Sequence, residues 1–151
     1  MNQNSGYRHT QSAPLSALLV LVAIAIAGLA WVLRDLPQAL LITGLVSLLL
    51  LFFAGCFHRL TVVGEESGLS LRYGPVPLFQ KQIPYASMKS VEASRSSFVD
   101  GWGIHYVPGR GWTYNLWGRD CVLILRDDGS LLRVGTDDVD GLLEFLHAHV
   151  Q

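Results

Sequence analysis

Apolar residues in this chain follow three different periods. From Leu15 to Leu33 the sequence reads LSALLVLVAIAIAGLAWVL, and from Leu36 to Phe57 it reads LPQALLITGLVSLLLLFFAGCF, with no charge in either run. A helix rising ~1.5 Å per residue needs ~20 residues to cross a hydrocarbon core about 30 Å thick. Both runs reach that length, and neither carries the polar stripe of a surface helix. They are expected to be transmembrane helices rather than a buried hairpin of a soluble protein. Arg34 and Asp35 alone separate them, which implies a tight antiparallel hairpin, and Pro37 falls in the first turn of the second helix, where its missing N–H is harmless.

Beyond Phe57 the pattern shortens to strands punctuated by turns. RLTVVGEESGLSLRYG predicts strands at Arg59–Val63 and Leu69–Tyr73 around an acidic turn at Gly64–Gly68. A third strand is expected near Phe79–Ile83, broken at Pro84, and a fourth from Met88 to Ser94. CVLILRDDGSLLRVGT reads as a hairpin, because two β-rich runs flank Asp127-Asp128-Gly129-Ser130, where Gly supplies the positive φ a tight turn needs. The period then changes again. Val139, Leu142, Leu143, Leu146 and Val150 fall on one stripe of a helix, with Thr136 or Asp137 as its cap and Asp138 and Asp140 near the positive end of its dipole. His147 and His149 lie in the last turn, two residues apart and therefore on different sides, which disfavours a metal pair.

Composition sharpens this division. Of 151 residues, 50% are hydrophobic and 15% charged, against ~25% charged in a typical soluble domain. The chain divides into an N-terminal tail (1–14), a hairpin (15–57, with spans 15–33 and 36–57) and a water-soluble domain (58–151) large enough for one core. The last region holds nine Lys and Arg against eleven Asp and Glu, a net charge of −2 with signs interspersed. No basic block is present to follow nucleic-acid phosphate or anionic lipid, and those partners are disfavoured.

Arg8 in the tail and Arg59 and Arg72 after the second span, set against Arg34 with Asp35 beside it, place both termini in the cytoplasm by a small positive-inside bias. Cys56 and Cys121 offer no disulfide framework, in keeping with a reducing compartment. A cleaved signal ending at Ala25-Ile26-Ala27 is the competing reading of the first run, but the run continues to Leu33 and a second follows at once. Small residues Ala23, Ala27 and Ala30 in the first span and Gly44 and Ser47 in the second suit close helix packing, within the hairpin or between copies.

Residues 101–120, GWGIHYVPGRGWTYNLWGRD, hold three of the four tryptophans and five glycines. Their glycine spacing does not fit G-x-G-x-x-G, and no P-loop is present. His105 has no Ser or Cys nucleophile in a recognisable turn and no carboxylate at ligand spacing except Asp100, so neither catalysis, a cofactor nor a metal site is expected. Alternation sets Trp102, Ile104 and Tyr106 on one face of a strand and His105 on the other, with a turn at Val107–Gly111 and a returning strand carrying Trp112, Tyr114 and Leu116. Trp102 and Trp112 are expected to meet across the two strands. Core packing accounts for most of the segment. Its exposed members, Trp112 and Trp117 first, with Trp102 and His105, are the candidate contact patch, for a partner protein or for the nearby membrane interface.

Two apolar spans followed by GWGIHY, GWTYN and a closing LRDDGSLLRVGTDDVDGLLEFL resemble the bacterial pleckstrin-homology-like membrane proteins, from about Leu15 onward. The resemblance implies an α+β membrane protein of the bacterial plasma membrane, with a seven-stranded, strongly bent antiparallel sheet or barrel and a helix across one open end. It implies little chemistry. Pleckstrin-homology domains that hold inositol phosphates commonly have a basic loop between their first two strands, whereas GEESG stands here, and Glu65 and Glu66 repel phosphate. A basic side chain is common in such proteins where His105 stands, which removes an anion-binding role from that strand as well. The leading expectation is therefore a non-enzymatic, membrane-anchored scaffold acting through a protein partner or a second copy. A small-ligand or envelope-stress sensor with a pocket beside Trp102 and His105 comes second, and a membrane enzyme last.

Overall fold

A computed structural model describes residues 6–76, 78–97 and 102–150. Two long helices, α1 (Pro14–Val32) and α2 (Pro37–Cys56), form an antiparallel hairpin inserted between two paired strands. The first of those, β1 (Arg8–Ser12), lies in the segment expected to be a tail; it runs antiparallel to β2 (Arg59–Gly64), from Arg8 opposite Val63 to Ser12 opposite Arg59. Its alternation was hidden because Arg8, His9, Thr10 and Gln11 are all polar, and only neighbouring β2 supplies the ladder. At the neck the Ala13 N–H donates to the His58 carbonyl at 3.3 Å, and Ser16 Oγ reaches both the Ala13 carbonyl and His58 Nδ1 at 3.0 Å. The pairing fixes residues before α1 and after α2 at the same end of the hairpin.

Both helices are long and apolar enough to span a membrane; Pro37 opens α2 as expected, and Pro14, assigned above to the tail, opens α1. Small or short side chains are buried at heptad-like spacing, Ser16, Ala23 and Ala30 on α1 and Ser47 and Ala54 on α2. Ser47 Oγ donates to the Ala23 carbonyl at 2.9 Å across the seam. Of the small residues picked out above, Ala27 and Gly44 face outward instead. The 3.5-residue seam, not a local cluster of small residues, decides the contact. Outward positions are apolar all round, Leu21, Ile24, Leu41, Leu45 and Leu48 among them.

The rest folds as two sheets over one core. β2, β3 (Gly68–Gly74) and β4 (Gln80–Pro84) continue from β1 in the order β1-β2-β3-β4. A 3-10 turn at Tyr85–Ser87 leads to β5 (Met88–Arg95) of a second sheet, ordered β5-β8-β9-β7-β6, with β6 at Gly103–Val107, β7 at Gly111–Asn115, β8 at Asp120–Arg126 and β9 at Leu131–Gly135. The seven-stranded antiparallel expectation thus becomes nine strands among the described residues, and β7 runs parallel to β9. Two hairpins docked side by side produce that parallel pair, a non-local contact with no signature in local sequence. Leu60, Leu69 and Leu71 from one sheet meet Val122, Ile124 and Val134 from the other.

The β8–β9 hairpin forms as expected, with Gly129 at φ +77° and Asp128 accepting from the Ser130 N–H at 2.9 Å. Those Ser130 hydrogen bonds hold the Asp128 carboxyl below its ordinary range. Helix α3 (Val139–His147) closes the core with Leu142 and Leu146, both fully buried. Its cap is Asp138, one residue past the expected pair, accepting from the Gly141 N–H at 3.2 Å while Thr136 Oγ1 accepts from the Asp138 N–H at 3.0 Å. β1 is tied to this helix start: Tyr7 Oη donates to Asp138 at 3.0 Å, and His9 Nε2 lies 2.5 Å from Asp137.

Candidate functional site

Hairpin β6–β7 carries the aromatic segment. Gly103 stands opposite Asn115 at its base, and Val107 opposite Gly111 at its tip. Gly111 is required there: its φ is +83°, and a Cβ would sit 2.0 Å from the Leu131 carbonyl oxygen of the neighbouring strand. β6 ends its sheet, with β7 as its strand partner among the described residues.

The four candidate contact residues do not form one patch. Trp102 packs with its ring centroid 4.5 Å from that of Trp117, in the turn after β7, the rings tilted by 35°, rather than against Trp112. Trp112 lies opposite Tyr106, with ring centroids 5.4 Å apart, and 6.2 Å from Tyr114. The expected Trp102–Trp112 contact fails because Trp102 precedes the ladder and Gly103 already pairs with Asn115, three residues beyond Trp112. Two aromatic pairs result, separated by about 10 Å of strand at ~3.3 Å per residue. All four rings are substantially exposed, from Tyr106 at 59% to Trp117 at 38%.

The Trp102–Trp117 pair sits beside the neck. Gln11 Nε2 donates to the Trp117 carbonyl at 2.8 Å. The Gly103 Cβ position lies 3.9 Å from Phe57, the residue that ends α2, and Phe57 contacts Tyr73 and Phe79 at 5.4 and 5.2 Å. Tyr73 Oη donates to the Asn115 carbonyl at 3.2 Å, joining the base of the hairpin to the same cluster. Burial, and then the nearby Tyr114, raise the Tyr73 pKa far above its ordinary value.

His105 turns to the opposite face from Ile104 and Tyr106, as alternation requires, and is half-buried. Register places it beside Thr113 of β7, which in turn stands beside Arg133 of β9. Thr113 and Arg133 are buried, and Arg133 donates through Nη1 to the Arg110 carbonyl. His105 Nδ1, Thr113 Oγ1 and Arg133 Nε have no hydrogen-bond partner among the described residues, an arrangement that costs about 1–3 kcal/mol per neutral group. Sequence reasoning missed Thr113, which the β6–β7 register sets beside His105, and Arg133, which only the parallel β7–β9 pairing adds to the row. Asp100 and Gly101 lie outside the described residues.

Elsewhere, Glu65 in the β2–β3 turn is engaged by Arg72 and accepts from Gln82 Nε2 at 2.8 Å, while Glu66 stays exposed. Arg72 offsets the Glu65 charge, and Glu66 leaves one further carboxylate on the turn. His149 packs 4.4 Å from Phe145 and 4.9 Å from Tyr85, and both it and His147 are exposed. Among the described residues no three His, Cys, Asp or Glu side chains cluster as a metal site. A shallow, open depression between β5 and α3 is lined by Ser94, Arg95, Asp120, Asp137 and Asp140, with Arg95 paired to Asp120 at 2.9 Å. Comparison with protein-family models, curated proteins and solved structures finds no match.

Proposed function

We propose that this chain is a membrane-anchored, pleckstrin-homology-like interaction module without enzymatic activity, working through contacts with another protein at the cytoplasmic face of a bacterial plasma membrane. The observation that carries this reading is the outer edge of β6, flanked by the exposed Tyr106–Trp112 pair. An edge strand offers unpaired main-chain groups to an extended segment, and adjacent aromatic rings give such a segment a side-chain footing. Anchoring by α1 and α2 raises the effective concentration of membrane-bound partners, which makes a small contact sufficient. Two sheets around one core, closed by an amphipathic terminal helix, support the pleckstrin-homology-like reading. Glu65 and Glu66 in the β2–β3 turn, set against the single cation Arg72 that engages Glu65, argue against a phosphoinositide as ligand.

A photo-crosslinking residue at Tyr106 of the full chain, in native membranes, tests the site. The expected result is a discrete adduct that Trp112→Ala depletes, without change in membrane extraction; the same adduct from position 81 on β4 would count against it. An adduct at twice the chain mass would identify a second copy as the partner. A reporter fused after Gln151 is expected to give a cytoplasmic signal, and an extracytoplasmic one overturns the orientation. A second reading, a small-ligand sensor, draws on His105 Nδ1, Thr113 Oγ1 and Arg133 Nε, which lack hydrogen-bond partners among the described residues. It expects a ligand-induced rise in melting temperature that Arg133→Met abolishes.

A further inference from the structure

Two loops and one ring pair crowd the place where the hairpin meets the sheets. Val76 packs against Gly55, with its Cγ2 3.5 Å from the Gly55 Cβ position, and Gly55 lies in the last turn of α2. The β3–β4 connection therefore reaches the level at which the apolar helix ends, and from it Leu78 projects, 57% exposed. Trp117 reaches the same level from the other side, its carbonyl held by Gln11 three residues before α1 begins. Trp102 packs against Trp117 and is followed by Gly103, beside Phe57. Trp102 and Trp117 are 47% and 38% exposed, and no element in the described structure covers them.

Bulky apolar groups left uncovered at the end of a bilayer-length helix suit the membrane–water boundary. Tryptophan partitions to the membrane–water boundary, where its ring is out of bulk water and its N–H remains hydrogen-bonded. Arg59, the first charged residue after α2, is exposed at the adjoining strand start, a cation of the kind that pairs with lipid headgroups. The Tyr106–Trp112 pair differs: it lies toward the hairpin tip, away from the contact with Phe57.

We propose that Leu78, Trp102 and Trp117 form a lipid-contacting rim that seats the sheet domain in the interfacial layer of the same bilayer that α1 and α2 cross. This rests on the membrane-anchored reading and assigns the two aromatic pairs different occupants, lipid at the neck and protein at the tip. The rim fixes the tilt of the domain, because contacts on two sides of the neck resist rocking that a bare hairpin permits.

The test uses the full chain in phosphatidylcholine–phosphatidylglycerol vesicles whose acyl chains are brominated either near the headgroup or near the chain end. Three Trp→Phe backgrounds retain the Trp102–Trp117 pair, Trp112 alone, or Trp31 alone; Trp31, exposed near the far end of α1, reports on insertion of the hairpin. The pair is expected to be quenched about twofold more than Trp112, and more by the shallow bromines than by the deep ones. Quenching of Trp31 with the pair no more affected than Trp112 overturns the rim and leaves the anchoring intact. No quenching of Trp31 overturns the anchoring and the rim together. Should a Trp→Phe background fail to fold, Leu78→Cys in the otherwise unaltered chain, labelled with a fluorophore, gives the same decision, since Cys56 and Cys121 are buried. The label is expected to resist aqueous iodide about twofold better than one at Glu66→Cys, and equal quenching overturns the rim.

Discussion

Gly111 shows how one residue can decide the geometry of the aromatic hairpin. Its positive φ and the close Leu131 carbonyl leave no room for a Cβ, so Gly111→Ala is expected to cost about 2–4 kcal/mol in chemical denaturation, with loss of the β7–β9 register. The G-R-G turn was legible in the sequence; the reason for the second glycine was not, because the obstructing atom belongs to a strand twenty residues away. Tyr7 and Tyr85 form a contrasting pair. Tyr7 donates to Asp138, and Tyr7→Phe is expected to lose about 1 kcal/mol through that bond. The Tyr85 hydroxyl is buried without a hydrogen-bond partner among the described residues, so Tyr85→Phe, which keeps the ring, is expected to be neutral or stabilising near pH 7 in the same assay.

Among the elements, the helical hairpin was the most readable. Twenty apolar residues without charge carry their meaning locally, and the observed α1 and α2 differ from the expected spans by one residue at each end. Which faces meet was less readable, since every face is apolar. Ser16, Ala23 and Ala30 recur at sevens, and that seam, with the Ser47–Ala23 hydrogen bond, sets the contact. Ser47→Ala is expected to lower hairpin stability by about 0.5–1 kcal/mol, whereas Ala23→Leu, which drives a large side chain into the seam, is expected to cost about 1–3 kcal/mol. Thermal unfolding in detergent measures both, and Ala27→Leu, on the outward face, serves as the unaffected reference.

At the scale of the molecule, β1 joins the N-terminal segment to the C-terminal helix through Tyr7, His9 and Asp138, and to the sheet through β2. Removing residues 1–12 is expected to leave the Leu60 strand with an open edge and to lower the melting temperature of the whole domain, not merely fray one end. Buried tyrosines give the domain a shared alkaline limit. Burial, then the Glu65 charge, push Tyr85 from 10.0 up to about 12, while burial also raises Tyr7, Tyr73 and Tyr114. In the unfolded chain these phenols ionise near pH 10; the folded state then binds more protons, and stability falls as pH rises. For Tyr85 the contribution is fully present below pH 10 and is lost between 10 and about 12. Urea midpoints measured across that window are expected to decline, and less steeply in Tyr85→Phe.

The sequence by itself determined the helical hairpin, the β8–β9 turn, the closing amphipathic helix and the absence of a dinucleotide or P-loop spacing, because each depends on periods or residue types within about twenty positions. Tertiary structure alone decided that a polar tail segment becomes β1, that β7 runs beside β9, and that Trp102 turns to Trp117 while Trp112 meets Tyr106. Those outcomes rest on strands and rings brought together across the fold, where register and burial rather than local spacing select the neighbour.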